Sequence, residues 1–133
     1  MAENNISKPI QITNTDALSP RQTAAVVENK AAVRARLSVS QTFILSVLAG
    51  VFVAMGAQFA TFVTSDSALH LGITSLIMGM VFSLGLILVE TAGAELFTGN
   101  NLNIVGYLSK GITTRDLLRI WIIVYVGNFI GGL

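Results

Sequence analysis

The 133 residues are 53% hydrophobic and 11% charged, with a mean hydropathy of +0.72. Soluble chains carry about 25% charged residues, so the composition favours a membrane protein. A net charge of +1 gives no reason to expect a nucleic-acid partner. The chain has no cysteine and one histidine, which excludes a disulfide framework and a histidine-clustered metal site. We expect neither a cofactor nor a catalytic residue.

The first 37 residues precede any long apolar stretch. Residues 1–18 are polar and lack hydrophobic periodicity, which predicts a disordered tail. Ser19 and Pro20 provide an N-cap and a proline at the first helical position, so a helix is predicted over 19–37. A stripe of small apolar residues suits a helix on the membrane surface, and a solvated helix that leads into the membrane is the alternative. The stripe comprises Ala24, Val27, Ala31 and Ala35.

A first membrane span is predicted over 42–63, which contains no charge and is long enough to cross a bilayer. Ser38 and Gln41 have the spacing of a capping box, so the helix should start just before the apolar run. This span is the first part of a transmembrane domain predicted over 38–133. Small residues four apart along the span indicate close packing between helices.

The next apolar tract, residues 71–108, is too long for one span. At about 1.5 Å per residue it would be roughly 57 Å long, against a hydrocarbon core of about 30 Å. Because Glu90 and Glu95 lie near its middle, we predict a helix broken at membrane depth, with segments 71–89 and 100–108. Unwound backbone is tolerated there only where protein or a water-filled cavity satisfies it, so the break is the candidate functional site.

The two acids need separate interpretation. Five residues apart on an ideal helix, Glu90 and Glu95 would lie roughly 140° apart around the axis, which makes them a poor acid/base pair. A carboxylate at the bilayer centre costs about 3 kcal/mol, so each should be protonated, paired or capped. We interpret Glu95 as structural, holding the loop or a neighbouring helix.

A third span is predicted over 117–133. Thr113 and Asp116 have capping-box spacing, and Gly127 and Gly131 form a GxxxG pair suited to helix packing. Asn128, between the two glycines, is interpreted as a hydrogen-bonding link between helices. Three residues near the start of this helix are expected to be anchors at the membrane interface: Arg119, Trp121 and Tyr125.

The basic residues predict the topology. Five of the eight precede the first span, none lie between the first and second spans, and three lie around the second loop. By the positive-inside rule, the N-terminal tail and helix and the second loop are cytoplasmic in a multi-pass protein. The broken tract then runs from outside to inside. The third span stops at Leu133 without a flanking loop, so we expect a truncated chain.

Three stretches, at 94–99 (AELFTG), 48–50 (LAG) and 121–131 (WIIVYVGNFIG), resemble the formate/nitrite transporter family of anion channels. The resemblance implies an all-α, aquaporin-like fold of six spans with a broken second helix, of which three spans are present here. It also implies a homopentamer in the lipid bilayer of the bacterial inner membrane. Members pass small monovalent anions, often with a proton; we expect formate first, then nitrite or hydrosulfide.

The motifs also imply two sets of site residues. Rings of apolar side chains would exclude water and hydrated ions, while hydroxyl groups, amides and helix ends would supply donors to an anion. The pore-lining and constriction set is Phe82, Leu86, Leu96, Phe97 and Thr98. The set that supports the broken helix is Glu95, Gly99, Asn100 and Asn101.

Other functions fit the sequence less well. A water or glycerol channel needs asparagine-proline-alanine at its breaks, whereas the only prolines are Pro9 and Pro20. No nucleophile is paired with a base, so an enzyme is not expected. The serious alternative is a non-conducting membrane fragment, or helix-association module, whose small-residue faces only mediate packing between helices.

Overall fold

A computed structural model describes residues 18–65 and 70–133, and in this part of the chain the secondary-structure elements are all helices, with no strand. The helices are α1 (Pro20–Ala35), α2 (Val39–Thr64), α3 (Leu71–Ala92), α4 (Phe97–Asn100), α5 (Asn103–Leu108) and α6 (Thr114–Gly132). Helix α2 packs along both α3 and α6, and α1 packs against α5. The tail predicted over 1–18 lies outside the described residues except for its last residue.

Two of these helices, α2 and α3, are long and apolar enough to cross a membrane, with 26 and 22 residues. Most of their large apolar side chains are exposed on the isolated chain, as Ile44 on α2 and Leu76 on α3 illustrate. An apolar surface of this kind is stable only when lipid or protein covers it.

The predicted capping boxes are present, and they explain why helices begin earlier than the apolar runs. The Ser38 hydroxyl accepts from the Gln41 amide at 3.2 Å, and the Gln41 side chain accepts from the Ser38 amide at the same distance. Helix α2 therefore starts at Val39, just before the apolar run, as its capping box predicts. Likewise α6 starts at Thr114, as its capping box predicts, because the box fixes the first turn before the apolar run begins at 117.

Glycines let α6 approach α2 at backbone distance, as the GxxxG pair predicts. A Cβ added at Gly127 would overlap the Ser46 side chain, and one at Gly131 would overlap the Val47 carbonyl. Because no side chain intervenes, van der Waals contact extends along both helices, and this is the main attraction between helices in lipid. The close approach brings the rest of α6, including the residue between the two glycines, against α2.

The alanine stripe of α1 faces protein rather than lipid at its C-terminal end. Ala31 is fully buried, and its cluster includes Ile112 and Leu117 with Ala35 packed against it. A Cβ on Gly106 of α5 would lie 2.6 Å from that of Ala31. The stripe thus seats α1 on α5 and on the start of α6.

Candidate functional site

The unwound segment begins where α3 ends at a left-handed glycine. Gly93 has φ +62° and ψ 31°, a conformation that L residues with a Cβ avoid. Its amide donates to the Glu90 carbonyl, and the Ala94 amide donates to the Val89 carbonyl at 3.0 Å. Ala94 and Val89 also share a buried cluster. These bonds and this contact make a Schellman motif, which carries α3 to residue 92 instead of the predicted 89.

Helical structure resumes sooner than the sequence predicts. The Asn100 and Asn101 amides donate to the carbonyls of Leu96 and Phe97 at 3.1 Å, forming the single turn of α4. A second interruption at 101–102 precedes α5, so two short helices, over 97–100 and 103–108, stand where the sequence predicts one over 100–108. Thr98 lies within α4, not in the unwound segment, which covers only residues 93–96.

Neighbouring helices satisfy the backbone of the unwound segment. The Glu95 amide donates to the Leu45 carbonyl of α2 at 3.2 Å. On α6, the Asn128 carboxamide accepts from the Phe97 amide at 2.8 Å and donates to the Glu95 carbonyl at 3.0 Å. Buried backbone groups without partners are expensive, and these bonds supply the partners that unwinding removes.

Four side chains close a ring of hydrogen bonds beneath the break, here called the polar ring: Arg34, Glu95, Asn100 and Asn103. Arg34 Nε lies 3.1 and 2.9 Å from the two carboxylate oxygens of Glu95. Asn100 donates to Glu95 at 2.8 Å, Asn103 donates to Asn100 at 2.9 Å, and Arg34 Nη1 reaches the Asn103 oxygen at 3.5 Å. Arg34 Nη1 also donates to the Gly99 carbonyl at 3.2 Å. A network satisfied in this way fixes one arrangement of its members.

The polar ring is largely shielded from solvent. Asn100 and Asn103 are 0% and 1% exposed, and the side chains of Arg34 and Glu95 are 23% and 9% exposed. An ion pair at this depth is tolerated only with further hydrogen bonds to both partners, which the two asparagines and the Gly99 carbonyl supply. The Glu95 charge is therefore cancelled locally by α1, and the interpretation of Glu95 as a residue that holds the loop to a neighbouring helix fits this geometry.

Helix α6 also contacts α4 through aromatic side chains. The Trp121 indole N–H donates to the Asn100 carbonyl at 2.9 Å. The Phe97 and Tyr125 rings meet edge to face, with centroids 5.6 Å apart and planes at 74°, a favoured aromatic geometry. The sequence predicts both α6 residues as interfacial anchors, and in the structure both contact α4.

The residues that the motifs assign to the pore lie in different environments. Leu96 packs against the buried cluster of Ala49, Val89 and Ala94. Thr98 is exposed, and its hydroxyl has no partner within the described ranges 18–65 and 70–133. A free hydroxyl can donate a hydrogen bond to an acceptor outside the chain.

The remaining predicted residues lie at the margins of the site. Asn101 is exposed and Gly99 is half-buried, with its carbonyl held by Arg34. Phe82 and Leu86, four apart on α3, are 37% and 44% exposed. In the described part of the chain, neither belongs to a buried cluster with the break.

Sequence reasoning missed Arg34 as the partner of Glu95, although it places Asn103 among the amide donors near the break. The four-residue spacing of Lys30 and Arg34 puts both on one helix face, which by itself indicates only a basic helix end. The available signal was chemical: a buried carboxylate in an apolar tract requires a cation, and the basic residues of α1 were candidates. No pattern in the sequence indicates the three partners of Asn128, which lie on α2, in the unwound segment and on α4.

Two cavities flank Arg34. One of about 320 Å³ is lined by residues including Lys30, Glu90 and Gly93, and another of about 280 Å³ lies towards Leu102. Neither combines enough ligating side chains for a metal, and within residues 18–65 and 70–133 no cluster of histidine and acidic residues could hold one. The site consists of hydrogen-bonding side chains, the Arg34–Glu95 ion pair and the Phe97–Tyr125 aromatic contact.

Comparison with known proteins identifies relatives for nearly the whole chain. Residues 21–133 match a family model described as formate/nitrite transporter. The chain is 39% identical over 118 residues to the formate channel FocA of Haemophilus influenzae, covering 88% of this chain and 42% of that protein. For FocA of Escherichia coli K12 the identity is 38% over 119 residues, covering 89% and 42%.

A more distant relative is the probable formate transporter of Methanothermobacter thermautotrophicus, 35% identical over 119 residues, covering 86% of this chain and 43% of that protein. The chain therefore spans about two-fifths of the length of these relatives. All are named as channels or transporters, which points away from an enzyme.

Proposed function

The chain belongs to the formate/nitrite transporter family, as its motifs predict, and on that premise we propose that it forms part of a membrane channel for small monovalent anions, with formate as the first substrate. Nitrite and hydrosulfide are the further candidates. The relatives named as formate channels support formate. Within the chain, the observation that carries the proposal is the break at 93–96. Hydrogen bonds from α1, α2 and α6 stabilise its unwound backbone and the residues beside it.

The physical case for an anion begins with charge. A carboxylate beside the path would repel an anion by several kcal/mol where water is scarce. Arg34 removes that repulsion by pairing with Glu95. The exposed Thr98 hydroxyl and Asn101 carboxamide then remain as neutral donors on the same stretch, which can replace lost hydration without binding the ion too tightly.

We assign the constriction to Phe97, with Leu96 beside it and with Phe82 and Leu86 contributed by α3. Phe97 is the member of this set whose position is fixed at both backbone and ring. In this arrangement apolar groups exclude hydrated ions, while Thr98 provides a donor immediately beyond them. Glu95, Gly99, Asn100 and Asn101 support the break.

The complete channel requires more than these residues. We propose an aquaporin-like fold of six spans in which α2, the broken α3–α5 tract and α6 are three. We further propose a homopentamer in the bacterial inner membrane, with a cytoplasmic N-terminus. The exposed apolar faces of α2 and α3 support such an assembly, because both need lipid or protein to cover them.

Flux measurement tests the proposal. The complete reading frame that encodes these residues is expressed, purified and placed in liposomes, and uptake of radiolabelled formate is followed beside empty liposomes. We expect rapid, saturable uptake, with Thr98→Val slower than the parent because it keeps the shape and loses the hydroxyl. A flat trace from the parent protein would refute the channel and favour the helix-association module that the α2–α6 glycine contacts also suit.

Two further arms resolve substrate and coupling. Competition of unlabelled nitrite and hydrosulfide against labelled formate ranks the anions. Imposing a pH gradient at constant formate tests the proton: symport accelerates uptake towards the alkaline side, whereas a passive anion channel follows the membrane potential alone.

A further inference from the structure

The Asn128 side chain links three separate parts of the site. Its carboxamide nitrogen donates to the Ser46 carbonyl of α2 at 2.8 Å and to the Glu95 carbonyl at 3.0 Å. Its oxygen accepts from the Phe97 amide at 2.8 Å. A carboxamide has two donor hydrogens and an acceptor oxygen, and here both hydrogens and the oxygen are engaged. A residue that served only to join α2 and α6 would not need the bond to Phe97.

The Phe97 side chain is held from the same direction. Tyr125, which meets the Phe97 ring edge to face, lies three residues before Asn128 and so on the same face of α6. Trp121, four residues earlier, holds the last carbonyl of α4. One face of α6 thus holds three features of α4. These are the Phe97 backbone amide, the Phe97 ring and the carbonyl of Asn100, the last residue of the helix.

We propose that Asn128 is a positioning residue, which holds Phe97 at the constriction and thereby determines which monovalent anions pass by size. This inference rests on the proposed function, because it needs Phe97 to narrow the path. An apolar passage distinguishes ligands that differ by one methyl group only about 10-fold to 200-fold. Discrimination of that size disappears if the ring moves, so the ring must be fixed by its support.

Three variants separate positioning from folding. Asn128→Leu has nearly the same shape and loses all three hydrogen bonds. Asn128→Asp keeps an acceptor for the Phe97 amide and loses the carboxamide donors. Gln58→Leu is the control, since Gln58 is an exposed carboxamide on α2 away from the break. All are made in the complete reading frame and measured in liposomes.

The two readouts are the ratio of formate to acetate uptake and the hydrogen exchange of the Phe97 amide. Leaving a buried donor without its partner should speed exchange by about 10-fold to 100-fold in Asn128→Leu. We expect its formate-to-acetate ratio to fall by about tenfold or more. Asn128→Asp should keep slow exchange at Phe97 and a ratio between those of Asn128→Leu and the parent, and Gln58→Leu should match the parent in both readouts.

Each outcome decides the question. Faster exchange of the Phe97 amide in Asn128→Leu with an unchanged uptake ratio would make Asn128 a purely structural residue and overturn the proposal. Unchanged exchange of that amide would also overturn it, because Asn128 would then not hold Phe97. If Asn128→Leu does not fold, Asn128→Asp decides, and a ratio equal to the parent's overturns it. No formate uptake by the parent protein would remove the channel and this inference together, whereas normal uptake with unchanged ratios removes only the inference.

Discussion

Replacing Arg34 by methionine tests whether α1 holds the break. The substitution keeps most of the aliphatic stem and removes the guanidinium, which contacts the Glu95 carboxylate, the Gly99 carbonyl and Asn103. Glu95 then stays buried, with Asn100 as its remaining donor. A carboxylate left in that position is strongly destabilising, because neither water nor a cation compensates its charge.

The expected loss is smaller than for a fully enclosed pair. Removing one partner of a buried ion pair costs about 3 to 5 kcal/mol. The Arg34 side chain is 23% exposed, so solvent already screens part of the interaction, and Asn100 continues to donate to Glu95. We therefore expect Arg34→Met to lower the free energy of unfolding by about 2 to 3 kcal/mol.

The matched control is Lys30→Met. Lys30 lies one turn before Arg34 on the same face of α1 and is exposed, and it lines the same cavity. Equilibrium unfolding in mixed micelles measures both variants, together with Glu95→Gln and the Arg34→Met/Glu95→Gln double variant. Lys30→Met should change the free energy of unfolding by less than about 0.5 kcal/mol, as surface substitutions usually do.

The double variant supplies the refutation. If Arg34 acts by compensating Glu95, its replacement should cost less than about 1 kcal/mol once the side chain at position 95 is neutral. Equal losses for Arg34→Met with and without the Glu95→Gln substitution would show that the two side chains are not coupled. A loss from Lys30→Met as large as that from Arg34→Met would show that only the net charge of α1 matters.

Three further perturbations probe the ends of the helices. Gly93→Ala should lower the free energy of unfolding, measured by thermal unfolding, by about 1 to 2 kcal/mol, because alanine disfavours the φ of +62° at this position. The added Cβ itself meets no atom within 4 Å, so the cost comes from the backbone alone. Trp121→Phe removes the hydrogen bond to the Asn100 carbonyl and should cost about 1 kcal/mol in the same assay. The Thr113 side-chain and backbone hydrogen bonds hold the pKa of Asp116 below its ordinary 3.8, with smaller help from neighbouring arginines. Because the folded pKa is depressed, Asp116 stabilises the start of α6 above pH 3.8 and loses that effect as pH falls through the folded value, so acid should destabilise the parent more than Asp116→Asn.

The sequence predicts the features that depend on local chemistry. Capping boxes, the GxxxG pair and the need for a break in an overlong tract all follow from residue types at fixed spacings. The predicted end of α3 is wrong by three residues, since a Schellman motif at Gly93 continues the helix past Glu90. The substrate class came from motif resemblance, and not from spacing.

The sequence does not predict the set of partners around the break. Arg34 and Glu95 are 61 residues apart, and Phe97 and Asn128 are 31 residues apart. No periodicity within a helix encodes such contacts. The same is true of Trp121, because an indole near a helix start suits a membrane interface as well as it suits a hydrogen bond to a carbonyl.

The distant partners of residues 93–97 have a consequence for biogenesis. During synthesis, Arg34 emerges long before Glu95, and Asn128 emerges last. Until α6 has arrived beside α2, the Phe97 amide and the Glu95 carbonyl lack the acceptor and donor they have in the folded chain. The hydrogen bonding of the broken segment is therefore complete only once α6 has docked. A nascent chain halted before residue 128 should hold residues 71–108 in a different state, one that cysteine accessibility during arrested translation would detect.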